Sequence, residues 1–147
     1  MNFNTPKRQS WSPLGAALLL ALAALGAYPS IAAAVDVKVT LAGDQEVPPV
    51  KSAGTGTGTI TVEADKSVHG SVTTKGMTGI AAHIHEAPVG KSGPVVIPLE
   101  MKGDTYTVPA NAKLTDAQFA SFKAGNLYVN VHSAAHPDGE IRGQLKP

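Results

Sequence analysis

Two clusters of histidine stand out in this chain of 147 residues: His83 and His85 in the run His83-Ile84-His85-Glu86, and His132 and His136 in Val131-His132-Ser133-Ala134-Ala135-His136. Successive side chains of a strand point to opposite faces, so an H-x-H pair in a strand projects two imidazoles from one face, about 7 Å apart along the chain. Two imidazoles on one face, joined by a third from another strand, can capture a borderline transition metal. Three nitrogens with an open position suit Cu(II), Zn(II) or Ni(II). Copper is expected ahead of zinc, because it forms the most stable complexes of the divalent series. His83, His85 and His132 are thus the candidate ligands, with His136, four residues on and in a loop, as a fourth. The competing reading makes the pair ordinary polar residues on a solvated strand face, with His132 fixing a turn.

Other polar residues are candidates for supporting roles. Glu86, Asp138 and Glu140 are close enough in sequence for one of them to accept the second N–H of an imidazole and orient it. Glu140 and Arg142 are two apart and share a strand face, where an ion pair is expected. His69 has no near partner and reads as structural, and Met77 and Met101 read as packing residues. No catalytic residue is assigned. No G-x-S-x-G is present, and the glycine-rich run Gly54–Thr59 is followed by neither Lys-Ser/Thr nor a helix, so it is no phosphate loop.

The elements that must position these groups are mostly short strands. Val35–Leu41 alternates Val35, Val37, Val39, Leu41 with polar residues. Thr55–Val62 and Val68–Thr74 form a hairpin across Ala64-Asp65-Lys66-Ser67, and the glycines of the first strand suggest a close backbone approach or a bulge. Ala81–Glu86, Pro94–Leu99 and Thr105–Val108 follow. Leu127–His132 and Glu140–Leu145 close the chain across a Pro-Asp-Gly turn. The single helix starts at Thr115, with Gln118 as its capping-box partner, and stops at Gly125. About eight strands and one short helix predict an all-β fold, a Greek-key-like β-sandwich or small barrel. The expected inward set is Val37, Val39, Ile60, Val62, Val72, Ile84, Val95, Ile97, Leu127, Val129, Val131, Ile141 and Leu145. The opposite face would then collect His83, His85, Tyr128, Asn130, His132, Glu140, Arg142 and Gln144.

The N-terminal segment reads differently. Lys7 and Arg8, an apolar run over about Leu14–Ala27, then Pro29, Ser30 and Ala32-Ala33-Ala34 follow the order of a secretory signal peptide. The apolar run is short of the ~20 residues that span a bilayer. Residues 1–34 are therefore expected to be removed on export, leaving residues 35–147 as one domain, secreted or periplasmic. The net charge of +1 would become −1 without Lys7 and Arg8. No basic patch implies nucleic acid, and no basic amphipathic helix implies a membrane surface, so the expected partners are a metal ion and another exported protein. The chain has no cysteine. It offers no lipid-anchor thiol, no thiolate nucleophile and no blue-copper ligand set.

Motifs along the whole of residues 35–147 resemble the CHRD domain family, first described in chordin and widespread in bacterial exported proteins. They are Leu41-Ala42-Gly43-Asp44-Gln45-Glu46-Val47-Pro48-Pro49-Val50, Ala82-His83-Ile84-His85, Gly93-Pro94-Val95-Val96, Gly125-Asn126-Leu127-Tyr128-Val129-Asn130-Val131-His132 and Gly139-Glu140-Ile141-Arg142-Gly143-Gln144-Leu145. The resemblance implies that His83, His85 and His132 belong to the family pattern, while His136 stands where that pattern often has Asn. It implies a fold more than an activity. A weaker resemblance links His83-Ile84-His85-Glu86 and Gly139-Glu140-Ile141-Arg142-Gly143 to copper-zinc superoxide dismutases, Greek-key sandwiches in which the H-x-H pair binds copper. This chain lacks their disulfide cysteines and long metal-binding loop, which argues against a dinuclear site. Three functions follow as expectations: a protein that holds or delivers copper, or uses it in a simple redox step; a non-catalytic module built on a histidine and arginine hydrogen-bond network; and a superoxide dismutase-like enzyme.

Overall fold

The computed structural model describes residues 1–2 and 33–147. The expected signal peptide over residues 1–34 lies almost wholly outside the described residues. All described strands and the helix fall within one compact unit. The strands are β1 (Val35–Ala42), β2 (Thr55–Val62), β3 (Val68–Lys75), β4 (Gly79–Glu86), β5 (Val95–Pro98), β6 (Glu100–Lys102), β7 (Thr105–Thr107), β8 (Leu127–Ser133) and β9 (Ile141–Leu145), with one helix, α1 (Asp116–Lys123). They form a single antiparallel sheet in the order β5-β4-β8-β9-β1-β2-β3-β7-β6. The strands at its two ends, β5 and β6, are consecutive in the chain with only Leu99 between them, and the Leu99 amide donates to Ala82 O of β4 at 2.9 Å. The sheet is therefore a nearly closed barrel rather than two separate layers, which removes most of the free edge.

Local chemistry explains the elements. The Thr115 hydroxyl accepts from the Gln118 amide, and the Gln118 side chain accepts from the Thr115 amide, so α1 opens on the expected capping box. Gly125 ends it at φ 72°. In β2, a Cβ on Gly58 would collide with the Ser71 carbonyl and Val72, so the close approach expected from the glycines is real. β6 was not foreseen. Its three residues, Glu100, Met101 and Lys102, are all exposed, so no apolar alternation marks it.

The barrel interior holds Val37, Val39, Leu41, Ile60, Val62, Val72, Ile84, Ile97, Leu127, Val129, Val131, Ile141 and Leu145, all buried. Val95, expected inside, is 50% exposed. The ladder between β4 and β5 explains this. Ile84 faces Ile97 but His85 faces Val95, so Val96 is an extra, bulged residue. Directly opposed residues share a face, so Val95 joins His85 on the outside of the barrel. Tyr106 and Phe122 fill the interior from β7 and α1. Their strand and helix are too short for periodicity to have marked them.

Candidate metal centre

The three adjacent strands β4, β8 and β9 carry two faces. Register sets His83 against Asn130, His85 against Tyr128, Ala81 against His132, Tyr128 against Gln144 and Asn130 against Arg142. Alternation then puts His83, His85, Tyr128, Asn130, His132, Arg142 and Gln144 on the outward face, as expected from the sequence. The centre of that face is not solvated, however. Tyr128 and Asn130 are 3% exposed and Arg142 only 2%, because the segments Gly43–Val50 and Ala87–Gly93 cover them.

His83, His85 and His132 converge. One nitrogen from each lies within 4.8 Å of the others, an arrangement that could hold a metal ion. The hydrogen bonds around them decide where the lone pairs are. His85 Nδ1 is 3.0 Å from Gly93 O and His132 Nδ1 is 2.9 Å from Pro137 O. A carbonyl only accepts, so both Nδ1 atoms carry the proton and both Nε2 atoms carry a lone pair. His83 Nδ1, 3.0 Å from His132 Nε2, then donates to it. His85 Nε2 is buried and has no hydrogen-bond partner. Burial pushes the pKa values of His83 and His85 below the usual range, and the neighbouring imidazoles act in the same sense. Both rings are thus neutral at pH 7, the state a metal ligand requires. Holding a metal through both members of the His83–His132 pair would require His83 to move its proton from Nδ1 to Nε2, after which Nδ1 and His132 Nε2 would both offer lone pairs to a copper or zinc ion.

Backbone carbonyls, not carboxylates, orient the rings. Glu86 instead accepts from the Ser121 hydroxyl of α1, and Glu140 from the Ser52 hydroxyl at 2.6 Å. The expected Glu140–Arg142 pair does not form. Glu140 precedes β9 and its side chain turns to Ser52, whereas the Arg142 guanidinium donates to Lys91 O at 2.7 Å, to Pro88 O at 3.3 Å and to Gln144 Oε1 at 3.0 Å. Gln144 Nε2 donates to Ala87 O at 2.9 Å, so the loop over the site is tied down by site residues. Tyr128 is flanked from both neighbouring strands. His85 stacks on it with centroids 5.0 Å apart, and the Arg142 guanidinium carbon sits 3.4 Å from its centroid.

Glu46 is the group that sequence reasoning missed. It is 7% exposed and accepts from Asn130 Nδ2 at 2.7 Å. Burial pushes its carboxyl pKa up to about 7, although Arg142 and the Asn130 hydrogen bond pull the other way. Only its place in the Gly43–Pro49 motif hinted at it, since no spacing rule carries a loop carboxyl across to β8. Gly139 makes room for this contact. At φ 131°, a Cβ there would lie 2.6 Å from Asn130 and 2.9 Å from Glu46 Oε1. His136 is outside the three-histidine group. Its amide donates to the Ser133 hydroxyl. His69 is an exposed residue of β3, 3.7 Å from Glu63.

Among the described residues no helix is long and apolar enough to cross a membrane. No curated protein and no solved structure matches the chain. A family model does: the CHRD domain model matches residues 37–145, the whole barrel from β1 to β9 with its histidine group. The chain therefore belongs to the CHRD domain family.

Proposed function

We propose that this CHRD-domain protein is exported and binds one copper ion through His83, His85 and His132, to hold copper, deliver it, or use it in a simple redox step. One observation carries the reading: three imidazoles converge within 4.8 Å, and the buried Nε2 of His85 has no partner. A buried nitrogen without a partner costs about 1–3 kcal/mol, and a metal ion would remove that cost. Copper is favoured over zinc by its place in the stability series, and an exported protein meets it outside the cytosol. Export rests on the order of basic, apolar and small residues over positions 7–34. A mature protein whose N-terminus lies near Val35 would support it; one that retains Met1 would count against it. The test of the metal is a copper(II) titration followed by electron paramagnetic resonance, with His83→Ala as control. A one-to-one signal with nitrogen hyperfine structure, absent in the variant, is expected. No saturable signal would remove the proposal.

A second reading is a non-catalytic module that presents the loop Ala87–Gly93 to a partner protein. The four hydrogen bonds from Arg142 and Gln144 to that loop and to each other favour it. A melting temperature unmoved by copper, with a specific partner recovered by the intact domain and lost on replacing loop residues, would decide for it.

A further inference from the structure

A cleft of about 370 Å³ opens beside the histidine group, between the segment Glu46–Pro48 and Asp138 of the loop before β9. His85, Tyr128 and Asn130 line its inner wall. Its acceptors differ in exposure. Asp138 is exposed, Glu46 is 7% exposed, and His85 Nε2 is buried without a partner. Asn130 adds an independent sign. It is 3% exposed, its Nδ2 is used by Glu46, and its Oδ1 has no partner. Two carboxyl groups, an amide oxygen and an imidazole lone pair together demand a ligand that presents donors and positive charge. A hydrated divalent cation is such a ligand. Six waters at about 30 Å³ each make roughly 200 Å³, which the cleft accommodates. An anion would meet carboxylates here.

We propose that this cleft is the passage by which a hydrated divalent cation reaches and leaves the three histidines, with Asp138 and then Glu46 as transient oxygen ligands and Asn130 Oδ1 holding the hydration shell. The proposal rests on the metal-binding reading above. His136 lines an adjoining cleft with Asp138 and Glu46. The exposed carboxylate of Asp138 attracts the cation and raises its association rate, an effect that added salt weakens.

The test is stopped-flow uptake of copper(II) by the full mature protein, and its release to a chelator, at low and high salt. Asp138→Asn with Glu46→Gln should slow uptake and release together by about tenfold, leave the equilibrium affinity within about twofold, and flatten the salt dependence. Glu46→Gln keeps an acceptor for Asn130 Nδ2, so the barrel should keep its structure. Val47→Trp narrows the same cleft without removing any polar group, and should also slow both rates. Rates unchanged in both variants would overturn the passage while leaving the histidine site standing. A lost affinity with an altered spectrum would overturn it too, by making Glu46 a resident ligand. No copper uptake by the unaltered protein would overturn the metal-binding reading itself.

Discussion

The inner face of β4, β8 and β9 and the centre of their outer face are both buried, yet they are built on opposite physics. Inward, Ile84, Val129, Val131 and Ile141 are at most 1% exposed and pack in the apolar core, where the Tyr106 hydroxyl is buried without a hydrogen-bond partner. Such a core asks for volume and shape, and any group of the right size satisfies it to within a few kcal/mol. Outward, Tyr128, Asn130 and Arg142 are nearly as buried, but each needs a particular partner at a particular distance. Most receive one. The nitrogen of His85 and the oxygen of Asn130 do not. The apolar face explains why the barrel is stable. The polar face gathers two unmet demands on adjacent strands beside an open cleft, and it is where a ligand belongs.

Substitutions should separate the two faces. The largest effect is expected from Arg142→Ala, which removes the donor to Lys91 O, Pro88 O and Gln144 Oε1 and strips Glu46 of its nearby positive charge. Chemical denaturation should show a loss of about 4 kcal/mol, the range for breaking one member of a buried charged network. A loss below about 1 kcal/mol would mean that the polar face is a solvated surface after all.

Next comes the metal. At free copper(II) a hundredfold above Kd, the unaltered protein should gain about 3 kcal/mol, read as a rise in Tm. His85→Ala should abolish that gain. If the variant is stabilised as much as the unaltered protein, the site lies elsewhere.

The third effect concerns pH. Glu46 has its carboxyl pKa raised to about 7 from 4.5, so the folded protein binds its proton more tightly than the unfolded chain does. The resulting stability is fully present below pH 4.5 and is lost as pH rises through 7. His83 and His85 have depressed pKa values and act oppositely, losing stability as pH falls below 6.5. Comparing Glu46→Gln with the unaltered protein cancels the histidines. The variant should gain about 2 kcal/mol relative to it between pH 5 and pH 8. A flat difference would show that the carboxyl reaches water.

The smallest effect belongs to the apolar face. Ile84→Val should cost about 1 kcal/mol, with copper affinity unchanged, because one methylene is removed from a core that does not choose partners. A change in affinity would show that the two faces are coupled through β4.

The alternation of β4, β8 and β9 told the two faces apart in advance, because a period of two needs nothing beyond the strand itself. It placed His83, His85, Tyr128, Asn130, His132 and Arg142 on one side, where they are found. It failed at Val95, where a bulge reverses the phase, and at Glu140, which precedes its strand and pairs with Ser52. It was silent on Glu46. A loop carboxyl that crosses to Asn130, 84 positions away, leaves no periodic trace.

The sequence by itself determined the all-β character, the capped helix, the apolar interior and the pairing of His83 with His85. Each of these follows from local geometry and the period of the chain. Tertiary structure alone decided that β5 and β6 nearly close the sheet into a barrel and that His132 Nε2 arrives 3.0 Å from His83 Nδ1. It also decided that backbone carbonyls rather than carboxylates set the tautomers, and that two loops bury the polar face. These are contacts between segments distant in the chain. They depend on which strands become neighbours and how loops fold back, and neither is written in the spacing of residues along a single strand.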